Sequence, residues 1–212
     1  MKRLLVVVDM QNDFIDGSLG TPEARAIVEP VAEKIRAYEA DREGEVVFTL
    51  DTHFENYLDT LEGKKLPVPH CLKDTEGWKL HPLLEQFPGK RYEKSTFGCV
   101  AMARDLEKCE YESIEFVGLC TDICVIANAL IMRTEFPGTP ITVDASCCAG
   151  VTPRSHKNAL EAMKMCQIDV VGEYPPGQYR LGANGRRSGQ NRGSSRQIWR
   201  TVFRNCSPAR ER

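Results

Sequence analysis

The chain has 212 residues, 42% of them hydrophobic and 27% charged, with a formal net charge of −2. That length can bury a sizeable core, and the composition is that of an ordinary globular protein rather than a disordered or collagen-like one. No apolar run approaches the ~20 residues of a membrane-crossing helix, so no membrane partner is expected.

Two positive charges precede the first apolar run, Leu4 to Val8, but that run ends after five residues at Asp9. It falls short of the ~7–15 residues of a signal-peptide core and reads instead as a buried strand. Asp9 to Phe14 reads as a loop. Apolar positions from Ile27 to Tyr38 recur at helical spacing, with Pro30 either starting or kinking that helix. Glu45 to Leu50 is the next strand, ending against Asp51. Residues 52–75 show no sustained period, and a loop this long inside a compact domain is usually functional. Trp78 to Phe87 reads as a short helix with a boundary at Pro82. Tyr92 to Thr96 is extended, and Val100 to Leu106 is a brief helix. Ser113 to Val117 is an apolar strand leading into a helix over Asp122 to Met132. Pro140 to Asp144 is a further strand. Thr152 can cap a helix opening with Pro153 and running to about Met165. Gln167 to Val171 closes the series. This alternation predicts an α/β fold, a doubly wound, mainly parallel sheet with helices on both faces.

Residues 174–212 differ in kind. Nine arginines face a single acid, Glu211, so this stretch carries +8 and the first 173 residues carry −10. We expect one domain over residues 1–173 and a basic, disordered tail over 174–212. No recognition fold accompanies the charge, so nucleic acid is not an expected partner. The nine cysteines form no C-x-x-C pair. They read as thiols, mostly small core residues, in a reducing cytoplasm.

Active sites of open α/β sheets lie at the carboxyl ends of strands. Asp9, Asp51 and Cys124 each follow a strand and are expected to converge, with Lys94, in a short extended segment, as a candidate to join them. Alone, Asp9 reads as a loop cap and Lys94 as a solvated lysine; with Cys124 they make chemical sense. A cysteine in the first turn of a helix meets the positive end of the helix dipole, which favours the thiolate. A carboxylate can take and return its proton, and an ammonium can balance the charge that develops. A second constellation is Asp51-Thr-His53 with Pro69-His-Cys71. These offer Asp51, His53 and His70 as metal ligands, with water or substrate completing the sphere. Glu55 and Glu62 are candidate fourth ligands, Glu62 the better. His81 reads as packing or capping, and His156 as exposed in the first turn of its helix.

Asp9-Met-Gln-Asn-Asp-Phe14, Asp51-x-His53, Pro69-His-Cys71, Leu80-His-Pro82, Lys94-Ser-Thr-Phe97 and Gly118-Leu-Cys-Thr-Asp-Ile-Cys-Val125 occur in that order. Together they resemble the isochorismatase-like cysteine hydrolases, and within them the nicotinamidases, over roughly residues 3–173. The resemblance implies a catalytic triad of Asp9, Lys94 and Cys124. It implies a divalent metal ion, usually zinc, on Asp51, His53 and His70, with Glu62 resembling a variant that some members use. It also implies a cis peptide between Leu119 and Cys120 and an oxyanion hole from the N–H groups of Cys120 and Cys124. Phe14 matches an aromatic against the substrate ring, and Phe97 matches the pocket lining. Pro67 stands where many nicotinamidases carry an aromatic, so stacking on that side is not expected. The implied reaction is hydrolysis of nicotinamide to nicotinate and ammonia through a cysteine thioester, in a homo-oligomer. The alternative is a sister cysteine hydrolase acting on a carbamoyl or ureido compound.

Overall fold

A computed structural model describes residues 1–173 of the chain. The expectations for residues 174–212 lie outside the described residues. Six strands form one sheet: β1 (Lys2–Val8), β2 (Gly44–Asp51), β3 (Lys90–Lys94), β4 (Tyr111–Leu119), β5 (Ile141–Ala149) and β6 (Asp169–Val171). Their order is β3-β2-β1-β4-β5-β6, and every pairing is parallel. Among the described residues eight α-helices connect them: α1 (Asn12–Ile15), α2 (Pro22–Ala26), α3 (Val28–Ala40), α4 (Leu61–Lys65), α5 (Pro82–Glu85), α6 (Val100–Leu106), α7 (Ile126–Glu135) and α8 (Pro153–Met165).

The period of two along β1 divides the core. Leu5 and Val7 pack with Val31, Ile35 and Tyr38 of α3, whereas Leu4, Val6 and Val8 face Met102 of α6, Met132 of α7 and Met163 of α8. Both faces of the sheet are therefore covered, which is why β1 is apolar throughout. The doubly wound expectation holds.

Local chemistry accounts for the departures. Asp9 to Phe14 is not all loop, because α1 forms one short turn at Asn12–Ile15. Pro30 neither starts nor kinks its helix. It sits in the first turn of α3, where its missing N–H costs nothing. The stretch 78–87 is helical only from Pro82, with His81 Nδ1 accepting from the Leu83 N–H at 3.3 Å as a cap. At α8 the expected cap is present, with Thr152 and Ser155 forming a reciprocal capping box.

The strand order reverses between β1 and β4, and the site lies there. Gly118 makes the close approach of these strands possible. Its φ is +116°, and a Cβ would stand 2.2 Å from the Val8 carbonyl oxygen.

Candidate functional site

Asp9 leaves the end of β1 with φ 47°, a left-handed conformation that, glycine aside, Asn and Asp tolerate better than most residues. Its side chain is fully buried, and Thr49 of β2 donates to Oδ1 at 2.6 Å. Lys94 ends β3 opposite Asp51 in the β2–β3 register. The Lys94 ammonium stands 2.7 Å from Asp9 Oδ2, 3.0 Å from Asp51 Oδ1 and 3.5 Å from Cys124 Sγ. The contact to Asp9 is the shortest of the three, a buried ion pair. One buried cation thus touches both carboxylates and the sulfur.

Burial would lower the Lys94 pKa, but Asp9, Cys124 and Asp51 outweigh it and hold the group protonated. Burial raises Asp9, against the pull of Lys94. Asp51 goes the other way. Burial opposes its ionisation, yet Lys94 and the His53 and His70 rings hold its carboxyl well below the usual range.

Cys124 lies where the helix after β4 begins. The helix here opens with a π-helical turn, Thr121–Val125, and Cys124 lies buried in it. Burial pushes its thiol well up, and the carboxylates of Asp9 and Asp51 add to this against Lys94. Desolvation disfavours the charged form of a buried thiol, and here it is the largest influence. Burial therefore works against the thiolate that a helix terminus and an ammonium favour. The peptide Leu119–Cys120 is cis, as the resemblance implies.

Beside this trio Asp51, His53, Glu62 and His70 bring ligand atoms within 4.8 Å of one another. Asp51 Oδ2 lies 3.0 Å from His53 Nε2 and 3.5 Å from His70 Nε2, and Glu62 Oε1 lies 3.8 Å from both rings. Ligands about 2.0–2.1 Å from a tetrahedral zinc are about 3.3 Å apart, so this donor set fits a divalent ion. His70 Nδ1 lies 2.8 Å from the Val68 carbonyl; as the donor there it leaves Nε2 free to ligate. The ring of Tyr57 packs edge-on against both His53 and His70, with centroids 4.7 and 5.1 Å away. Glu62 joins the cluster through the first turn of α4, whereas Glu55 is exposed.

Phe14 is buried, with its ring 5.5 Å from that of His70. Phe97 is 45% exposed, and its carbonyl accepts from Asn128 Nδ2 at 3.1 Å. His156 is the clear misreading: it is buried, with Nδ1 2.8 Å from Thr121 Oγ1. It lies on the buried face of α8, one turn before Leu160 and two before Met163. Sequence reasoning also passed over Thr49, Gln11, Tyr57 and Asn128. The available signal was a polar or aromatic residue beside a motif position, too common to single out any of them.

An isochorismatase-domain profile matches residues 3–172. The chain belongs to the isochorismatase family. Among relatives of this isochorismatase-family chain, the nicotinamidase/pyrazinamidase of Mycobacterium tuberculosis is 27% identical, the alignment covering 80% of this chain and 98% of the relative. The nicotinamidase of Saccharomyces cerevisiae is 26% identical, over 80% of this chain and 99% of the relative. Among solved structures, the pyrazinamidase of Pyrococcus horikoshii in complex with zinc aligns with a TM-score of 0.71 at 27% identity. That alignment covers 82% of this chain and all of the other.

Proposed function

We propose that this protein is an amidohydrolase converting nicotinamide to nicotinate and ammonia. The observation that carries the reading is the shared ammonium of Lys94, which joins Asp9 and Cys124 to the metal-capable cluster through Asp51. Relatives named nicotinamidase, aligned over nearly their full length, give the substrate.

In this reading Asp9 Oδ2 takes the proton from Cys124 Sγ, and sulfur attacks the carboxamide carbon. A base with a raised pKa suits this task, since it both accepts the proton and holds it for return. The N–H groups of Cys120 and Cys124 stabilise the oxyanion that forms. Asp9 passes the proton to the amide nitrogen, the C–N bond breaks, and ammonia leaves a thioester on sulfur. Asp9 then deprotonates a water that attacks the thioester carbon, nicotinate departs, and the proton returns to sulfur. Lys94 stays protonated throughout and balances the negative charge exchanged between Asp9 and Cys124. Asp51, His53, Glu62 and His70 would hold a divalent cation, zinc in this proposal, which supplies a Lewis-acid anchor for the pyridine nitrogen. Phe14, beside His70, would contact the substrate ring, and Phe97 would line the entrance.

The carbamoyl or ureido alternative gives no role to a second cluster of four ligands, and the cluster favours the pyridine substrate. Free thiols among the described residues, five of them buried, support a reducing cytoplasm as the location. A homo-oligomer belongs to the same proposal, and exposed Phe54, Leu58 and Leu61 offer apolar surface for it.

The test is ammonia release from nicotinamide by purified, metal-loaded protein, with Cys124→Ala and His53→Ala alongside. Turnover lost in Cys124→Ala and strongly reduced in His53→Ala is expected. A folded, loaded wild type that leaves nicotinamide intact would overturn the substrate assignment.

A further inference from the structure

Asn128 lies inside α7, between Ala127 and Ala129, and is fully buried. Asparagine is a weak helix former, and a buried carboxamide needs partners for both amide protons and its oxygen. The partners here are all backbone groups around the site. Nδ2 donates to the Cys124 carbonyl at 2.8 Å and to the Phe97 carbonyl at 3.1 Å, while Oδ1 accepts from the Cys99 N–H at 2.8 Å.

These partners come from two segments. The Cys124 carbonyl is one turn back on the same helix, a back-bond of the kind Asn and Ser side chains form. Phe97 and Cys99 belong to the connection 95–99, which begins directly after Lys94 and enters α6. The β2–β3 ladder ends at Lys94, whose carbonyl accepts from the Thr52 N–H at 2.8 Å. Beyond that point Ser95, Thr96 and Phe97 are exposed. The side chain of Asn128 therefore ties the segment leaving Lys94 to the turn that carries Cys124.

We propose that Asn128 is a positioning residue, clamping the 95–99 connection to the Cys124 turn and so fixing the Lys94 ammonium against the sulfur. The proposal rests on Cys124 being the reacting thiol and Lys94 its cation, not on which amide is the substrate. Asn128 touches neither substrate nor the reacting atoms, and acts through the two segments it joins. Its second effect is to hold Phe97 at one place on the pocket rim.

Asn128→Ala removes all three bonds. Asn128→Asp keeps the shape and the acceptor for Cys99 but loses both donations. Three readouts on the full chain separate a clamp from plain packing. The rate at which iodoacetamide alkylates Cys124, followed by peptide mass, reports the environment of the sulfur without any substrate. The kinetics of nicotinamide hydrolysis, normalised to folded protein, should show kcat down on the order of 10- to 100-fold with KM changed by less than about threefold. Amide exchange at Cys99 should be slow in wild type and fast in Asn128→Ala. A several-fold change in alkylation rate in both variants is expected. Wild-type alkylation and kcat per folded molecule, with only a lower melting temperature, would overturn the proposal. If neither variant folds, the wild type decides: protection at Cys99 comparable to β3 supports the clamp, and free exchange there overturns it. A wild type inactive on nicotinamide would sink the substrate assignment, and alkylation and exchange would still decide the clamp.

Discussion

Gln11 binds both backbone groups of Asp51: Oε1 accepts from the Asp51 N–H at 2.7 Å, and Nε2 donates to its carbonyl at 2.8 Å. Nε2 also donates to the Trp78 carbonyl at 2.7 Å. The segment that carries Asp9 thereby aligns the end of β2, from which the metal-capable cluster starts. Gln11→Ala would leave buried peptide groups of Asp51 without partners. We expect a loss of about 2–4 kcal/mol in denaturant unfolding and roughly tenfold weaker zinc binding by calorimetry. Unchanged zinc affinity would show that Asp51 is aligned by the sheet alone.

Thr49 stabilises the ionised form of Asp9 through its 2.6 Å hydrogen bond. Removing that donor raises the Asp9 pKa further. Asp9 must be ionised to accept the thiol proton, so activity falls as pH drops through its pKa. The acid limb of kcat/KM should therefore move to higher pH in Thr49→Val and stay near wild type in Thr49→Ser. Coincident limbs in all three proteins would show that another group sets that limb.

Burial lowers the pKa of His156 to about 4, against an ordinary value of 6.5. Between those values the unfolded chain binds the proton and the folded one does not. The stability tied to the neutral ring is thus complete above pH 6.5 and is lost as pH falls toward 4, at most about 3 kcal/mol. Urea midpoints at pH 7 and pH 5 should differ more in wild type than in His156→Gln. Equal differences would mean that other groups dominate acid unfolding.

Glu62 supplies the fourth donor of the cluster, and burial together with Asp51 pushes its carboxyl up. A divalent ion relieves that repulsion. Zinc at a hundred times its dissociation constant should stabilise wild type by about 2.7 kcal/mol. The shift in melting temperature should shrink in Glu62→Gln and nearly vanish in His53→Ala. Equal shifts in all three would place the bound zinc elsewhere.

The sheet was legible because its strands are buried on both sides: Leu4 to Val8 needs no alternation to be recognised. Asp9, Asp51 and Lys94 could be assembled because each ends or directly follows a strand, where topology alone brings side chains together. His156 could not be read that way. Position in a helix's first turn says nothing about which face meets the sheet, and Thr152 and Pro153 fix where α8 begins, not how it is rotated. The upward push of burial on the Cys124 thiol was also out of reach, because helix termini and neighbouring cations are visible in sequence whereas desolvation is a property of the packed interior. Asn128 was hidden for a related reason: its partners Phe97 and Cys99 lie some thirty residues away, in a connection without periodicity.

Lys94 is the only cation among the four ionisable side chains Asp9, Asp51, Glu62 and Lys94, so in ionised form that quartet sums to −2. A doubly charged ion brings the sum to zero. The amide itself is uncharged, so the pocket's net charge gives it neither long-range attraction nor a barrier. Encounter should proceed at a rate indifferent to ionic strength, whereas capture of the ion itself should slow as salt screens the carboxylates.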